Sequence, residues 1–372
     1  MSIMNLRVPT LALLPLLAGA QNAPAPRSPE ISGGRMVTFR LAAPNAREVA
    51  VTGEFMKGAQ PLVKDANGIW SVTIGPVEPE IYYYSFTIDG VKTIDPGNPE
   101  VKTGSTPSTI SSVLEVQGDQ TAFYDGQPVP HGEIRADWYH SKSLSALRRV
   151  TVYTPPDYDR APAKRYPVLY LFHGANADDT AWTRLGHVNF ILDNLLAAGK
   201  TIPFLVVMPF GYGIPPGTKP APENAGLSNQ ELFSRDLIGD VIPFIQARYR
   251  VNPERTARAI IGLSMGGGES LAIGLDHLEL FAYMGGFSSG LRPDEFGKIF
   301  AATAADPKVA NEKLRLLWIG CGTEDGAMVN NKAFDDFLNQ HGVKHTFHQS
   351  PGGHTWMVWR RYLYEVAPLL FH

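Results

Sequence analysis

The sequence predicts an α/β fold with a mostly parallel central sheet, preceded by a small all-β, immunoglobulin-like sandwich. Three observations carry that expectation. Beyond about residue 150, near-continuous apolar runs of strand length alternate with segments of helical spacing, which is how a parallel sheet covered on both faces reads. From residue 31 to 116 the apolar runs are short, alternate with polar residues and are separated by turn formers, as in antiparallel strands. The pentapeptide Gly262-Leu263-Ser264-Met265-Gly266 joins the apolar run Ala259-Ile260-Ile261 to a helix-compatible segment that continues through His277. Strand, sharp turn and helix around G-x-S-x-G form a nucleophile elbow, whose flanking positions must be small because the serine backbone is strained.

In chain order, residues 1–20 read as a cleavable signal peptide. Arg7 gives a thin positive start, residues 8–17 an apolar stretch interrupted by Pro9 and Pro15, and Ala18-Gly19-Ala20 the small residues before a cut at Gln21. That stretch is too short to span a bilayer and no later one is long enough. The mature chain is therefore expected to be secreted or periplasmic, without an integral membrane segment. Residues 21–30 form a Pro/Ala-rich linker. Residues 31–117 are the sandwich, with strands expected at 36–41, 49–52, 70–74 and 81–88 and breaks at Asp65-Ala66-Asn67-Gly68 and Asp89-Gly90. In the last of these strands Tyr82, Tyr84, Phe86 and Ile88 share one face, the core face, while Tyr83 points the other way.

Residues 118–140, holding Pro128 and Pro130, read as the interdomain connection, and residues 141–372 as the α/β domain. Its strands are expected at 150–153, 168–172, 204–208, 259–261 and 314–319, and its helices at 190–198, 237–249, after the elbow, and at 332–341.

A net charge of −3 without a long basic run argues against nucleic acid as a partner. The apolar fraction of 44% and charged fraction of 19% exclude general disorder. Cys321 is the lone cysteine, so neither an intrachain disulfide nor a thiolate-rich metal site can form. His341, His345, His348 and His354 cluster late, but His345 and His348 fall on opposite faces of an expected strand and no Cys or Glu completes a set. No metal and no other cofactor is expected.

A serine hydroxyl is a poor nucleophile and needs a base that takes its proton and later returns it to the leaving group. The elbow marks the sheet as that of an α/β-hydrolase, where the acid and then the histidine follow the serine. Pro351-Gly352-Gly353-His354 places His354 in a glycine-rich loop after the strand-like run 345–349, which makes it the candidate base. Gly320-Cys321-Gly322-Thr323-Glu324-Asp325 follows a buried strand, and Asp325, one residue deeper than Glu324, is the candidate acid. Asp335 and Asp336 read as solvent-facing helix residues. The oxyanion donors expected are Met265 N–H and, in the turn Phe172-His173-Gly174-Ala175, Ala175 N–H with Gly174 as fallback. His173 is expected to brace that turn.

Two resemblances add to this. Val51-Thr52-Gly53-Glu54-Phe55, Gly68-Ile69-Trp70, Tyr82-Tyr83-Tyr84 with Asp89-Gly90, and Asp95-Pro96-Gly97-Asn98-Pro99 resemble the early-set sandwich of glucan-branching and debranching enzymes, carbohydrate-binding module family 48. Met56-Lys57-Gly58 stands where glucan-binding members carry Asn-x-Trp, so a stacking aromatic is lost and the domain is expected to shape one wall of the active site. His173-Gly174, Val206-Val207-Met208-Pro209, Asp240-Val241-Ile242-Pro243, the elbow, the Asp325 segment and Gly352-Gly353-His354 resemble the esterase D-like hydrolases. Within these they resemble carbohydrate esterase family 1, the feruloyl and acetylxylan esterases.

The resemblance implies a serine esterase acting through Ser264, His354 and Asp325 on a hydroxycinnamoyl ester of a plant-wall polysaccharide. Trp182, Phe210, Tyr212 and Trp356 would then be candidates for the acyl pocket, since a planar phenolic acid favours aromatic neighbours. Phe210 departs from the polar residue that many relatives carry after Met-Pro, so the substrate rim is expected to differ. Acetylxylan esterase, enterobactin-type siderophore esterase and acyltransferase remain open on the same scaffold. An inactive carbohydrate-binding protein is a reading of another class, against which the intact Ser264, Asp325 and His354 count.

Overall fold

The computed structural model describes residues 26–102 and 110–372, so the signal segment 1–20 lies outside the described residues. The α/β unit is built on eight strands: β1 (Glu133–Ser141), β2 (Ala146–Thr154), β3 (Val168–Phe172), β4 (Leu205–Pro209), β5 (Arg258–Leu263), β6 (Tyr283–Phe287), β7 (Leu316–Gly322) and β8 (Thr346–Ser350). They lie in the order β1-β2-β4-β3-β5-β6-β7-β8. Pairing is antiparallel from β1 to β4 and parallel from β4 onward.

Both faces of the inner strands β3 to β7 are buried, which is why these strands consist mainly of apolar residues and glycine. Along β3, Tyr170 and Phe172 pack into one core with Val152 and Ile260, while Leu169 and Leu171 pack into a second with Val206 and Ile261.

Two strands differ from the sequence expectation. β1 falls inside the stretch expected to connect the domains; its residues are mostly exposed and polar because it is the edge strand, paired only with β2. β6 reads Tyr-Met-Gly-Gly-Phe, and two glycines weaken any strand signal. A Cβ on Gly286 would lie 2.8 Å from Leu271 Cδ1, so the helix after the elbow requires the gap that glycine leaves. The helical run expected at 237–249 begins earlier, at Asn229–Asp236, where Ser228 and Glu231 form a reciprocal capping box. It continues through a wide turn at Leu237–Val241 into Ile242–Arg248.

The sandwich has two antiparallel sheets. One holds Glu30–Ser32, Met36–Ala42, Ile69–Ile74 and Val63–Lys64; the other is centred on Glu80–Ile88 between Val49–Gly53 and Ser111–Val116. Val37, Phe39, Val51, Tyr82, Tyr84 and Phe86 fill the space between them, as alternation requires. Ile81 and Tyr83, on the opposite face of the same strand, pack against the α/β unit.

Candidate active site

Ser264 sits between β5 and the helix Met265–Asp276 with φ 52° and ψ −118°, a strained conformation for any residue bearing a side chain. The turn is tight enough that a Cβ on Gly262 would collide with the Gly266 carbonyl, and one on Gly266 with the His173 carbonyl. Its backbone is fastened on both sides: Ser264 N–H donates to Phe287 O at 2.8 Å, and Gly290 N–H donates to Ser264 O at 2.7 Å. The result holds the hydroxyl above the ends of the parallel strands.

His354 lies in the loop between β8 and the helix Trp356–Val366, with its Nε2 2.9 Å from Ser264 Oγ. Its Nδ1 is 3.0 Å and 3.1 Å from the two carboxylate oxygens of Asp325, which follows β7. The imidazole edge rests on Trp359, ring centres 4.9 Å apart at 89°. Asp325 is buried, and burial alone would raise its pKa. Hydrogen bonds from His354, Ser288 and the Ala327 amide outweigh that and hold the carboxyl below its ordinary value. Glu324, its exposed neighbour, turns to the Gly352 amide and braces the histidine loop.

Gly174 and Ala175 line the cleft with Ser264. A Cβ on Gly174 would lie 2.7 Å from Leu263 Cδ1 and 3.1 Å from Ser264 Cβ, so this backbone lies against the serine. Met265 opens the helix, where amides have no intrahelical acceptor. His173 is buried, its Nδ1 2.8 Å from Gly174 O while its Nε2 accepts Gly211 N–H at 2.9 Å. Burial lowers its pKa, which fits a neutral ring tying the two loops together.

The cleft beside Ser264 has a volume of about 220 Å³. Of the four aromatic residues expected around an acyl group, Trp356 lines it. Trp182 lies behind Trp356, ring centres 5.1 Å apart, with its indole N–H donated to Phe172 O at 2.9 Å. Phe210 stacks on His173 beneath the Arg148 guanidinium. Tyr212 accepts the Asn176 amide at 2.7 Å and borders a neighbouring hollow with Met265 and Glu269.

The cleft also takes Trp359, one helical turn beyond Trp356, and four sandwich residues: Glu54, Tyr83, Val101 and Lys102. Sequence reasoning did not place Trp359, Glu54 or Lys102 there; the one available signal was Tyr83, the tyrosine facing away from the sandwich core.

The remaining carboxylates and histidines have other partners. Asp335 is buried, contrary to a solvent-facing reading, because Lys332 and His345 close on it at 2.8 Å and 2.7 Å. Asp336 stays exposed. His348 stacks on Trp318 with ring centres 5.4 Å apart. Glu269 is half satisfied: its Oε1 accepts from Asn229 at 3.0 Å, but its buried Oε2 has no partner among the described residues. Burial raises this carboxyl well above the ordinary glutamate value.

An elbow serine joined through an imidazole to a buried carboxylate, over a sheet of this order, defines the α/β-hydrolase class. The chain belongs to the esterase family described as "Putative esterase", which matches residues 141–370. An endo-1,4-β-xylanase/feruloyl esterase of Xylanibacter ruminicola is 34% identical over 358 residues, covering 94% of this chain and 47% of that protein. An esterase of Mycobacterium tuberculosis is 29% identical over 262 residues, covering 58% of this chain and 55% of that one. The chain thus spans about half the length of these curated relatives. Among solved structures, a ferulic acid esterase is 26% identical with a TM-score of 0.53, covering 64% of this chain and 96% of that one. The enterobactin esterase of Shigella flexneri shares the fold more widely, covering 90% of this chain and 92% of that one, with a TM-score of 0.65 at 18% identity.

Proposed function

We propose that this protein is a serine carboxylic-ester hydrolase that releases hydroxycinnamic acids from plant-wall polysaccharide esters and is exported to do so. The contact of 2.9 Å between His354 Nε2 and Ser264 Oγ, with Asp325 behind the imidazole, carries the reading. Ser264 attacks the ester carbonyl as His354 takes its proton, and Asp325 holds the ring and stabilises its charge. Met265 and Ala175 N–H groups receive the oxyanion. His354 then protonates the departing sugar alcohol, and water activated by the same base frees the acid and restores Ser264. Trp356 and Trp359 give a planar acyl group apolar walls, and the sandwich supplies the facing wall.

The similarity to the xylanase/feruloyl esterase and to the solved ferulic acid esterase supports this acyl group over acetate or a siderophore. Initial rates on methyl ferulate, methyl p-coumarate, p-nitrophenyl acetate and p-nitrophenyl octanoate, for wild type and Ser264→Ala, test it. A preference for the two hydroxycinnamates that the variant abolishes is expected. Turnover of acetate alone would move the substrate to acetylated polysaccharide, and turnover that survives in the variant would remove Ser264 from the reaction.

A further inference from the structure

The sandwich brings a cation to the wall of the Ser264 cleft. Lys102 ends the short strand Val101–Lys102, which pairs antiparallel with Ser111–Val116, Val101 facing Ser112 and Lys102 facing Ser111. The α/β unit holds this strand from the other side, because Arg184 Nη2 donates to Val101 O at 2.9 Å. The Lys102 ammonium lies 4.4 Å from the centre of the Tyr83 ring. Tyr83 is fixed in turn by its own N–H, donated to Glu54 Oε2 at 2.9 Å. All three residues line the cleft that holds Ser264 and His354.

Among the described residues, no ion pair within 4.0 Å engages the Lys102 ammonium, which lies over the Tyr83 ring face. Partial burial pulls the lysine pKa below its ordinary value, against the pull of the nearby Glu54 charge. An ammonium held by an aromatic face, partly stripped of water and short of an acceptor, is suited to an oxygen carried on an apolar ligand. The acyl groups proposed above are rigid and planar. With the carbonyl at Ser264 and the ring among Trp356, Trp359 and Tyr83, their outer edge carries the phenolic oxygen, which the feruloyl group flanks with a methoxy oxygen.

We infer that Lys102, steadied by Tyr83 and Glu54, is a specificity-determining residue that donates a hydrogen bond to the phenolic oxygen of the substrate's acyl ring. The inference rests on the hydroxycinnamoyl reading of the site. It makes the sandwich part of the specificity pocket, beyond a role as passive wall.

The test compares kcat/KM for methyl p-coumarate and methyl cinnamate, which differ only in the phenolic hydroxyl, in wild type, Lys102→Met and Lys102→Arg. Wild type should favour coumarate by about tenfold, the range of a hydrogen bond to a charged group. Lys102→Met should bring the ratio close to one, and Lys102→Arg should keep most of it. Should the methionine variant fail to fold, Lys102→Gln provides the same ratio with a polar side chain. An unchanged ratio, or equal losses on both esters, overturns the inference while leaving the hydroxycinnamoyl reading intact. Turnover of p-nitrophenyl acetate with neither cinnamate ester accepted overturns both.

Discussion

Glu80 of the sandwich and Arg360 of the helix that follows the His354 loop meet at 2.5 Å, with both side chains almost wholly withdrawn from water. The carboxylate is further occupied by the Tyr124 hydroxyl at 2.6 Å and by Arg361 at 3.1 Å. Arg360 also donates to Leu185 O at 2.6 Å. This network joins the sandwich to the helix that carries Trp356 and Trp359, so the two walls of the cleft share one anchor. A buried ion pair adds little net stability over an apolar substitute, but removal of one partner strands the other charge.

Glu80→Ala is accordingly expected to lower the unfolding free energy by about 3–5 kcal/mol, measured by urea titration. Burial alone would raise the Glu80 pKa, but the Arg360 charge and the hydrogen bonds from Tyr124 and Ile81 outweigh it and hold the carboxyl below its ordinary 4.5. A depressed carboxyl stabilises fully above its unfolded value and loses that contribution as pH falls through the folded one. The gap between wild type and Glu80→Gln should therefore be constant above about pH 5 and narrow below 4.5. A gap that does not change with pH would show that the pair is not the anchor.

The site's chemistry was more legible in the sequence than its walls. Gly262, Ser264 and Gly266 announce the elbow because strain and crowding restrict those positions to particular residues, and Asp325 and His354 follow in loops after apolar strands. The walls come from contacts between distant segments, such as Val101 with Arg184 and Glu80 with Arg360, which no local pattern records. β1 was hidden for a related reason: its inward positions Arg135, Asp137, Tyr139 and Ser141 are mostly polar while Ile134 and Trp138 face out, so no apolar alternation marks it. Asp335 read as exposed because its burial depends on His345, ten residues on in another segment.

Removal of any one member of the Ser264–His354–Asp325 chain should be costly and non-additive. Ser264→Ala and His354→Ala are each expected to lower kcat by about 10⁵–10⁶, and Asp325→Asn by about 10⁴, because the imidazole loses its orienting acceptor. The double variant Ser264→Ala/Asp325→Asn should be no slower than Ser264→Ala alone. Steady-state kinetics on methyl ferulate reads all four, and additive losses would argue against a single relay.

The elbow's crowding gives a sterically paired prediction. A Cβ on Gly266 would overlap the His173 carbonyl and lie 2.6 Å from Phe172 Cβ, whereas one on Gly297 meets nothing within 4 Å. Gly266→Ala should therefore destabilise by about 1–3 kcal/mol and reduce kcat by displacing Ser264. Gly297→Ala, in an open helical turn, should stabilise by about 0.5–1 kcal/mol. Thermal unfolding of both variants checks the contrast, which would vanish if the turn could relax around an added methyl.

Glu269 offers a pH-dependent prediction of the opposite sign to Glu80. It is buried behind the elbow with a single hydrogen-bond donor, Asn229, and burial lifts its pKa well above the ordinary 4.5. Above pH 4.5 the unfolded chain loses this proton while the folded chain keeps it, so stability falls as pH rises toward the folded value. The slope from this one group is at most about 1.4 kcal/mol per pH unit. Glutamine has the shape of a protonated glutamic acid and never ionises, so Glu269→Gln should remove the loss. Its melting temperature should match wild type near pH 4 and exceed it by a margin that grows as pH rises above 4.5. A constant offset across that range, or a variant less stable than wild type at pH 8, would mean that the carboxylate is charged and partnered in the folded chain.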